Sequence, residues 1–307
     1  MGWLVWGLFG AWCVGQVFRD ATHLTALAFY VPSLLVAVTL GVRVALVRCS
    51  LRQRVKSAFC VLLPVLVSLF VENHWDRRGV STVRKETRRA VHWNIYGSNF
   101  GITNILDHVE PLNPDLMVFS EVPRKLGNER FLARFREGFS LLRVGGMVVL
   151  ARGELTRVEC AALTQGTVGL VRWTDRGVVR SVMVADLPSS ILVARDPLLR
   201  ELTELMAEHQ PDLVLGDLNA PRLSRQLCRL PAGYRHAYDA VGSGWSATWP
   251  VRWPMHSIFR PALESILLAP MWSLDHCLIG PKVVPLRYDL KTLPYSDHRL
   301  QLLEFEN

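Results

Sequence analysis

The sequence predicts an α/β sandwich preceded by a block of apolar, membrane-spanning helices. Three observations carry this expectation. Charge-free apolar stretches fill the first quarter of the 307 residues. From Ala90 onward, short β-rich runs alternate with turn signals and amphipathic stretches. Charge divides at the same place: residues 1–89 hold 12 Lys/Arg against 4 Asp/Glu, and residues 90–307 hold 23 of each. With half the residues hydrophobic and a fifth charged, a disordered chain is excluded. A mean hydropathy of +0.20 argues against a purely soluble protein. The pI near 9.5 belongs to the N-terminal region. The neutral remainder lacks the cationic excess of a general nucleic-acid binder.

The apolar stretches are Met1–Phe18, Leu24–Val42 and Ser57–Val71, of 18, 19 and 15 residues. A membrane span needs roughly 20 apolar residues, with about 17 as the lower limit. The second stretch meets this clearly and the first narrowly. The third is short unless Glu72–Trp75 lies at the interface, where Trp is favoured. A cleaved signal peptide is the competing reading of the first stretch, but a positive n-region and a small-residue cleavage site are both missing. Buried helices of a soluble core are the competing reading of all three. Residues 1–76 are therefore expected to be a membrane region with two to three transmembrane helices, 77–89 a basic linker, and 90–307 a separate domain.

Loop charge sets the expected orientation. Arg43, Arg48, Arg52, Arg54 and Lys56 place the loop after the second stretch in the cytoplasm. A third span then delivers residue 76 onward to the extracytoplasmic side of a multi-pass integral membrane protein. Arg77, Arg78, Arg84, Lys85, Arg88 and Arg89 favour the opposite side, but they precede a long domain, where the rule is weaker. This run could lie on anionic headgroups or be a solvated linker. The six cysteines show no metal-ligand spacing and no disulfide framework.

In the second region the strand candidates are 90–95, 115–121, 146–152, 168–173, 178–186, 212–217, 274–280 and 299–306. A helix is expected over Thr103–Glu110, stopped by Pro111. Another opens with Asp196 as N-cap and Pro197 at N1, and runs to about His209. Buried strands mixed with helices give the α/β sandwich.

Asn94, Glu121, Asp186, and Asp217 with Asn219 fall at the C-terminal ends of apolar strands, where α/β sheets form ligand sites. Asp275-His276 and Asp297-His298 follow near the chain end. Hard oxygen donors suit Mg²⁺ or Mn²⁺, and a His beside them suits a phosphoryl transition state or a proton transfer. Alternatives remain open. Asp217 and Asn219 could form a simple Asx turn. His276 neighbours Asp275 on a strand and so faces the other way, which fits packing better than catalysis. His92 shares a face with Asn94 and could touch the site or be a satisfied core histidine.

HWNIYG (92–97), PDLMVFSEV (114–122), VLGDLNAP (214–221), LDHCLIG (274–280) and SDHRLQLLEF (296–305) occur in that order over residues 90–307. On these five segments the chain resembles the endonuclease/exonuclease/phosphatase superfamily. Its members include deoxyribonuclease I, abasic-site endonucleases, neutral sphingomyelinases and inositol polyphosphate 5-phosphatases. The resemblance implies a deoxyribonuclease I-like four-layer α/β/β/α sandwich and a metal-dependent phosphoesterase. It implies that Glu121 binds the metal with Asn94 beside it, and that Asp217 activates or orients the attacking water. Asn219 would position water and phosphate, and His298 would stabilise the developing charge. Asp275 would orient His298, and Asp297 would lie near the metal.

The chain departs from the family at Asp186, where many members have His and some Tyr. An ionised Asp repels a phosphate. Asp186 is thus expected to supplement the metal site, or else the domain is slow or only binds. The Trp-rich segment 242–254 could stack on substrate, with Trp249 as the candidate contact, or serve core packing or membrane-interface anchoring. Arg222 could contact a phosphate or be an ordinary surface Arg. The expected partners are the lipid bilayer and a phosphate-ester substrate (lipid headgroup, small phosphoester or nucleic acid), with no obligate protein partner implied. Nuclease action on DNA or RNA and a catalytically impaired binding module are the alternatives.

Overall fold

Two mixed sheets face each other, and the alternation of side chains along their strands decides what each face holds. The computed structural model describes residues 2–46, 51–75, 86–98, 101–135, 138–253, 266–267 and 269–306. The expectations for Arg48, Arg77, Arg78, Arg84 and Lys85 lie outside these residues.

The strands are β1 (Thr87–Asn94), β2 (Leu116–Ser120), β3 (Phe139–Val144), β4 (Met147–Arg152), β5 (Glu154–Val158), β6 (Thr167–Asp175), β7 (Val178–Asp186) and β8 (Leu213–Asp217). They continue with β9 (Arg235–His236), β10 (Arg252–Trp253), β11 (Ile266–Leu267), β12 (Asp275–Ile279), β13 (Pro285–Lys291) and β14 (Leu300–Glu306). One sheet runs β13-β14-β1-β2-β4-β3 and the other β5-β6-β7-β8-β12-β9. Each has one parallel pair at its centre, β1 with β2 and β7 with β8; the other pairings of both sheets are antiparallel. Parallel neighbours need a crossover. Helices α5 (Ile102–Val109) and α7 (Arg195–His209) supply the two crossovers.

Period-two alternation sorts the strands' side chains. Ala90, Leu116, Val118, Val182, Val184, Leu213, Leu215, Cys277 and Ile279 meet between the sheets. Val91, Trp93, Met117 and Phe119 pack outward beneath α5 and α6 (Asn128–Leu132). Met183, Ala185, Val214 and Leu278 pack outward beneath α7. The layers are therefore α/β/β/α, as the sequence implies. At Gly216 the pairing of β8 with β7 leaves no room for a side chain: a Cβ there would stand 1.8 Å from the Ala185 carbonyl oxygen.

Three expectations about elements are corrected. β1 begins at Thr87, inside the stretch read as linker. Helix α7 begins two residues early, at Arg195, with Ala194 at its N-cap position and no side-chain cap. Asp196 instead accepts from Arg200 Nη2 at 2.9 Å and Gln226 Nε2 at 3.0 Å. β3, β5 and β13 were not foreseen. All three are sheet edges, partly solvated, without the continuous apolar run of a central strand.

The first 75 residues fold as α1 (Gly2–Phe18), α2 (His23–Phe29), α3 (Ser33–Leu46) and α4 (Leu51–Val67), the last extended by a π-helical turn, Ser68–Glu72. Of the two to three spans expected, one stands among the described residues, or two if a bent pair counts as one span. The second stretch, which met the length test most clearly, breaks at Tyr30–Pro32 into α2 and α3, bent by 63°. Pro32 supplies no amide donor and disfavours helical backbone at Val31. α1 has 17 residues, at the lower limit for a span. The third stretch, read as too short, is extended at both ends into Arg52–Glu72, 21 residues. Among the described residues it is the one helix long and apolar enough to cross a membrane, or one of two if the bent pair counts as a span.

A buried ion pair ties the two sheets. Arg88 Nε on β1 lies 2.9 Å from Asp175 Oδ2 on β6, with both side chains almost wholly buried. Removing one partner strands the other charge, at a cost of about 3–5 kcal/mol. Asp175→Asn is therefore expected to lower the unfolding free energy by about that amount in urea titrations. Replacing both partners with Arg88→Met and Asp175→Leu should restore most of it.

Candidate active site

The residues singled out in the sequence converge because they share the inter-sheet face at one end of the sandwich. Asn94 ends β1, Asp186 ends β7, Asp217 ends β8, and Asp275 opens the antiparallel β12. Asp186 and Asp217 are register partners, as are Asp217 and Asp275. Glu121 follows β2, while Asp297 and His298 precede β14.

Asn94 is the hub. Its Nδ2 donates to Glu121 Oε1 at 3.0 Å and to Asp217 Oδ2 at 2.9 Å, one carboxylate from each sheet. Its Oδ1 accepts from the Tyr96 backbone amide at 3.0 Å, and its carbonyl accepts from Ser296 Oγ at 2.6 Å. Ser296 Oγ also accepts from the His298 amide at 3.0 Å, so one hydroxyl fixes the turn that carries His298. Asp217 Oδ1 accepts from the Asn219 amide at 2.9 Å. This is the Asx turn weighed in the sequence, and the turn also belongs to the site. Asn219 Nδ2 donates to the Leu187 carbonyl at 2.8 Å.

Glu121 and Asn219 both adopt left-handed backbone, at φ 57° and 48°. Asn tolerates this well and Glu less so. Such strain costs on the order of 1–3 kcal/mol and persists only where the surroundings over-determine it.

His298 Nδ1 donates to Asp275 Oδ2 at 2.8 Å and stands 4.0 Å from Asp217 Oδ2. Burial favours the neutral ring, but Asp275 outweighs it, with Asp217 and Asp297 adding, and holds His298 up at about 10. Asp275 is likewise held below the ordinary carboxylate range against burial by His298. Burial, with Asp275 next, pushes Asp217 up. His92 and Asp275 lie 3.7 Å apart, and His92 Nε2 meets Ser120 Oγ at 3.0 Å. Burial pushes His92 down to about 4, so it is a neutral core histidine that touches the site through Asp275. His276 faces outward to the Ala220 carbonyl at 2.8 Å, as strand alternation requires.

The other residues singled out divide. Trp249 Nε1 donates to Asp297 Oδ2 at 3.0 Å, and its ring tilts against Trp272 and His298. It lines the cavity above the cluster. Asp186 does not line the cavity, although burial with Glu121 and Asp275 nearby pushes its carboxyl up to about 7. Arg222 is corrected. It is buried away from the cavity, paired with Asp239, stacked over Tyr238, and donating to the Val71 and Glu72 carbonyls at 3.2 and 2.7 Å. It ties the end of the α4 helix to the sandwich, with Nη1 and Nη2 engaged there and the side chain outside the cavity lining.

Three contributors were not read from the sequence. Tyr96 lies within the quoted HWNIYG segment, and Ser296 within SDHRLQLLEF, so both were in view without a role. Thr248, whose Oγ1 accepts from the Leu274 and Asp275 amides at 3.0 and 3.2 Å, lies within the segment 242–254, which was read only for its tryptophans.

A cavity of about 480 Å³ opens above this cluster, with Glu121, Asp217, Asn219, Asp297 and His298 on its polar side. The donor set is one of hard oxygens and fits a divalent cation. Asp297 Oδ1 is buried without a hydrogen-bond partner, an anionic oxygen that a cation would satisfy. One ligand atom from each of Asp217, Asp275 and His298 also lies within 4.8 Å of the others.

Fold and cluster together define a hydrolase of phosphate esters. The chain belongs to the Endonuclease/Exonuclease/phosphatase family, whose model matches residues 91–298. No curated protein matches the sequence. Among solved structures, TDP2 of D. rerio complexed with single-strand DNA product is similar at 15% identity and a TM-score of 0.54, over 72% of this chain and 100% of that one. An endonuclease/exonuclease/phosphatase family protein from Bacteroides thetaiotaomicron is similar at 14% identity and a TM-score of 0.53, over 73% and 98%. The human Nocturnin catalytic domain with bound sulfate is similar at 16% identity and a TM-score of 0.51, over 73% and 95%. At these identities the likeness is one of fold.

Asp275→Asn removes the anion that keeps His298 protonated. The His298 imidazole is then expected to lose its proton at a pH below the present value of about 10, as burial takes over. Its ring-nitrogen NMR shifts across a pH titration read this directly.

Proposed function

We propose that this protein is a membrane-anchored, Mg²⁺- or Mn²⁺-dependent phosphoesterase that hydrolyses a phosphodiester or phosphomonoester by in-line attack of water. The observation that carries the reading is the single Asn94 amide joining Glu121 and Asp217, beside the Asp275–His298 pair. Glu121 and Asp297 would hold the cation, which when bound neutralises the phosphate's charge. The Asp217–Asp275–His298 trio is better read as a hydrogen-bonded unit, because Nδ1 of His298 already donates its proton to Asp275.

Water attacks phosphorus opposite the leaving oxygen, and its proton passes to Asp217, whose burial makes it the stronger base. Asn219 orients water and phosphate. His298, held protonated by Asp275, donates to a non-bridging oxygen as charge builds there. The P–O bond to the leaving group breaks, and the alkoxide takes a proton from solvent.

Anchoring rests on exposed apolar surface. Arg52–Glu72 is mostly unburied, and Trp3, at 92% exposure, is typical of the apolar side chains that α1 turns outward. The domain organisation and the extracytoplasmic placement of residues 90–307 remain part of this proposal. Asp186 is read as a supplementary carboxylate behind the metal site, from its place level with Asp217 on the inter-sheet face.

The test uses the full chain in detergent micelles with an aryl phosphodiester. Chelation should abolish turnover, and Mg²⁺ or Mn²⁺ should restore it. Asp217→Ala and His298→Ala should each lower kcat by about 10²–10⁴-fold while circular dichroism stays native. Turnover indifferent to chelator and to both substitutions would falsify the assignment. An intact cavity with phosphate affinity but no turnover would support the binding module instead. Asp186→Ala should raise the metal concentration needed for half-maximal rate; unchanged metal dependence and rate reject its role. Resistance of the full chain to alkaline extraction from membranes checks the anchor.

A further inference from the structure

We infer that α2 is a wall of the active site and restricts it to amphiphilic phosphate esters, lipids whose headgroup reaches the polar cluster from the bilayer surface. This rests on the hydrolase reading above. The cavity is two-faced. Opposite Glu121, Asp217 and His298 it is walled by Ala26 and Leu27 of α2 and by Ile191, Val193 and Leu274. At about 480 Å³ it is far larger than a phosphate requires, and the surplus is apolar.

The wall is built in. His23 Nε2 lies 2.7 Å from the Ile191 carbonyl. Trp272 Nε1 donates to the Tyr30 carbonyl at 2.7 Å, and the Arg225 amide donates to Asp20 Oδ1 at 2.6 Å. These bonds fasten both ends of α2 to loops of the sandwich, so the apolar face stays over the reacting groups.

At the mouth, Leu24, Leu192 and Ile191 are 78%, 79% and 66% exposed, an apolar rim left open among the described residues. α3 continues from the α2 bend with Leu35, Val38 and Val42 also exposed. A rim continuous with that surface would sit at the bilayer.

The electrostatics disfavour a polynucleotide. Tracking a phosphate backbone takes free Lys or Arg. Among the described residues the one Arg lining the cavity, Arg195, donates Nε, Nη1 and Nη2 to the carbonyls of Asn219, Val193 and Ser190. The ionisable groups at the polar side are otherwise mostly carboxylates. An aliphatic chain fits the wall, and a single phosphate ester fits the far end.

The test compares three substrates with the full chain and Mg²⁺ or Mn²⁺. They are vesicles of phosphatidylcholine, phosphatidylethanolamine and phosphatidylglycerol, a soluble aryl phosphodiester, and single-stranded DNA. Released headgroup or lipid product is followed by mass spectrometry. Two variants are read as the ratio of vesicle to aryl-ester kcat/KM: Leu27→Glu in the wall, and Leu24→Glu with Leu192→Glu on the rim, where exposure makes misfolding no concern. Each ratio should fall about tenfold or more, the loss of one buried leucine's worth of contact. An unchanged ratio in both variants overturns the inference, as does DNA cleavage outpacing every vesicle lipid. Absence of turnover on the aryl ester by the unmutated chain overturns the hydrolase reading itself, and this one with it.

Discussion

An amide placed between two carboxylates lets the two sheets of this protein meet at a polar end. Glu121 and Asp217 come from different sheets, and two anions brought together repel. The Nδ2 of Asn94 gives each of them a donor. Its other polar atoms are held by the Tyr96 amide and the Ser296 hydroxyl, so the amide cannot turn away. The placement of His298 follows from the same bonds, because Ser296 serves both residues.

Around that hub the charges sort themselves into unlike roles. Asp217 and Asp275 are register partners, both buried, yet they shift in opposite directions. The difference is the imidazole that bonds directly to Asp275. Carboxyl groups pushed apart in this way are how one site holds both a base and a charge that orients an acid. The left-handed backbone of Glu121 and Asn219 shows that the loops after β2 and β8 are held by the site and not by their own preference.

The helical region is not an appendage hung from the sandwich. Arg222 grips the carbonyls at the end of α4, and Asn73 accepts from the Ser246 amide at 2.7 Å. α2 stands over the cavity. An Arg two residues after a GDLNA turn reads in sequence as a phosphate contact or an ordinary surface residue, and only the packed structure shows it buried against Asp239 and the backbone at the end of α4. In the same way, the stretch with the strongest membrane signature bends at Pro32, and the weakest becomes the long helix. Hydropathy counts apolar residues and does not register a bend.

The sequence by itself determined an α/β sandwich with polar residues at its strand ends, and the resemblance of five segments to a family implied the α/β/β/α layering and the site roles. Alternation along a strand fixes which residues share a face, and strand ends fix where Asn94, Asp186 and Asp217 fall. It also set His276 apart from Asp275 by parity alone. Tertiary structure decided the rest, because the rest depends on what comes from elsewhere in the chain. The edge strands β3, β5 and β13 take their order from a neighbour's backbone, which leaves little trace in an apolar pattern. Asp186 lies behind the cavity, Thr248 braces Asp275 from a distant loop, and Arg222 faces a helix end. Each outcome is set by partners more than ten residues away, and no local pattern encodes those.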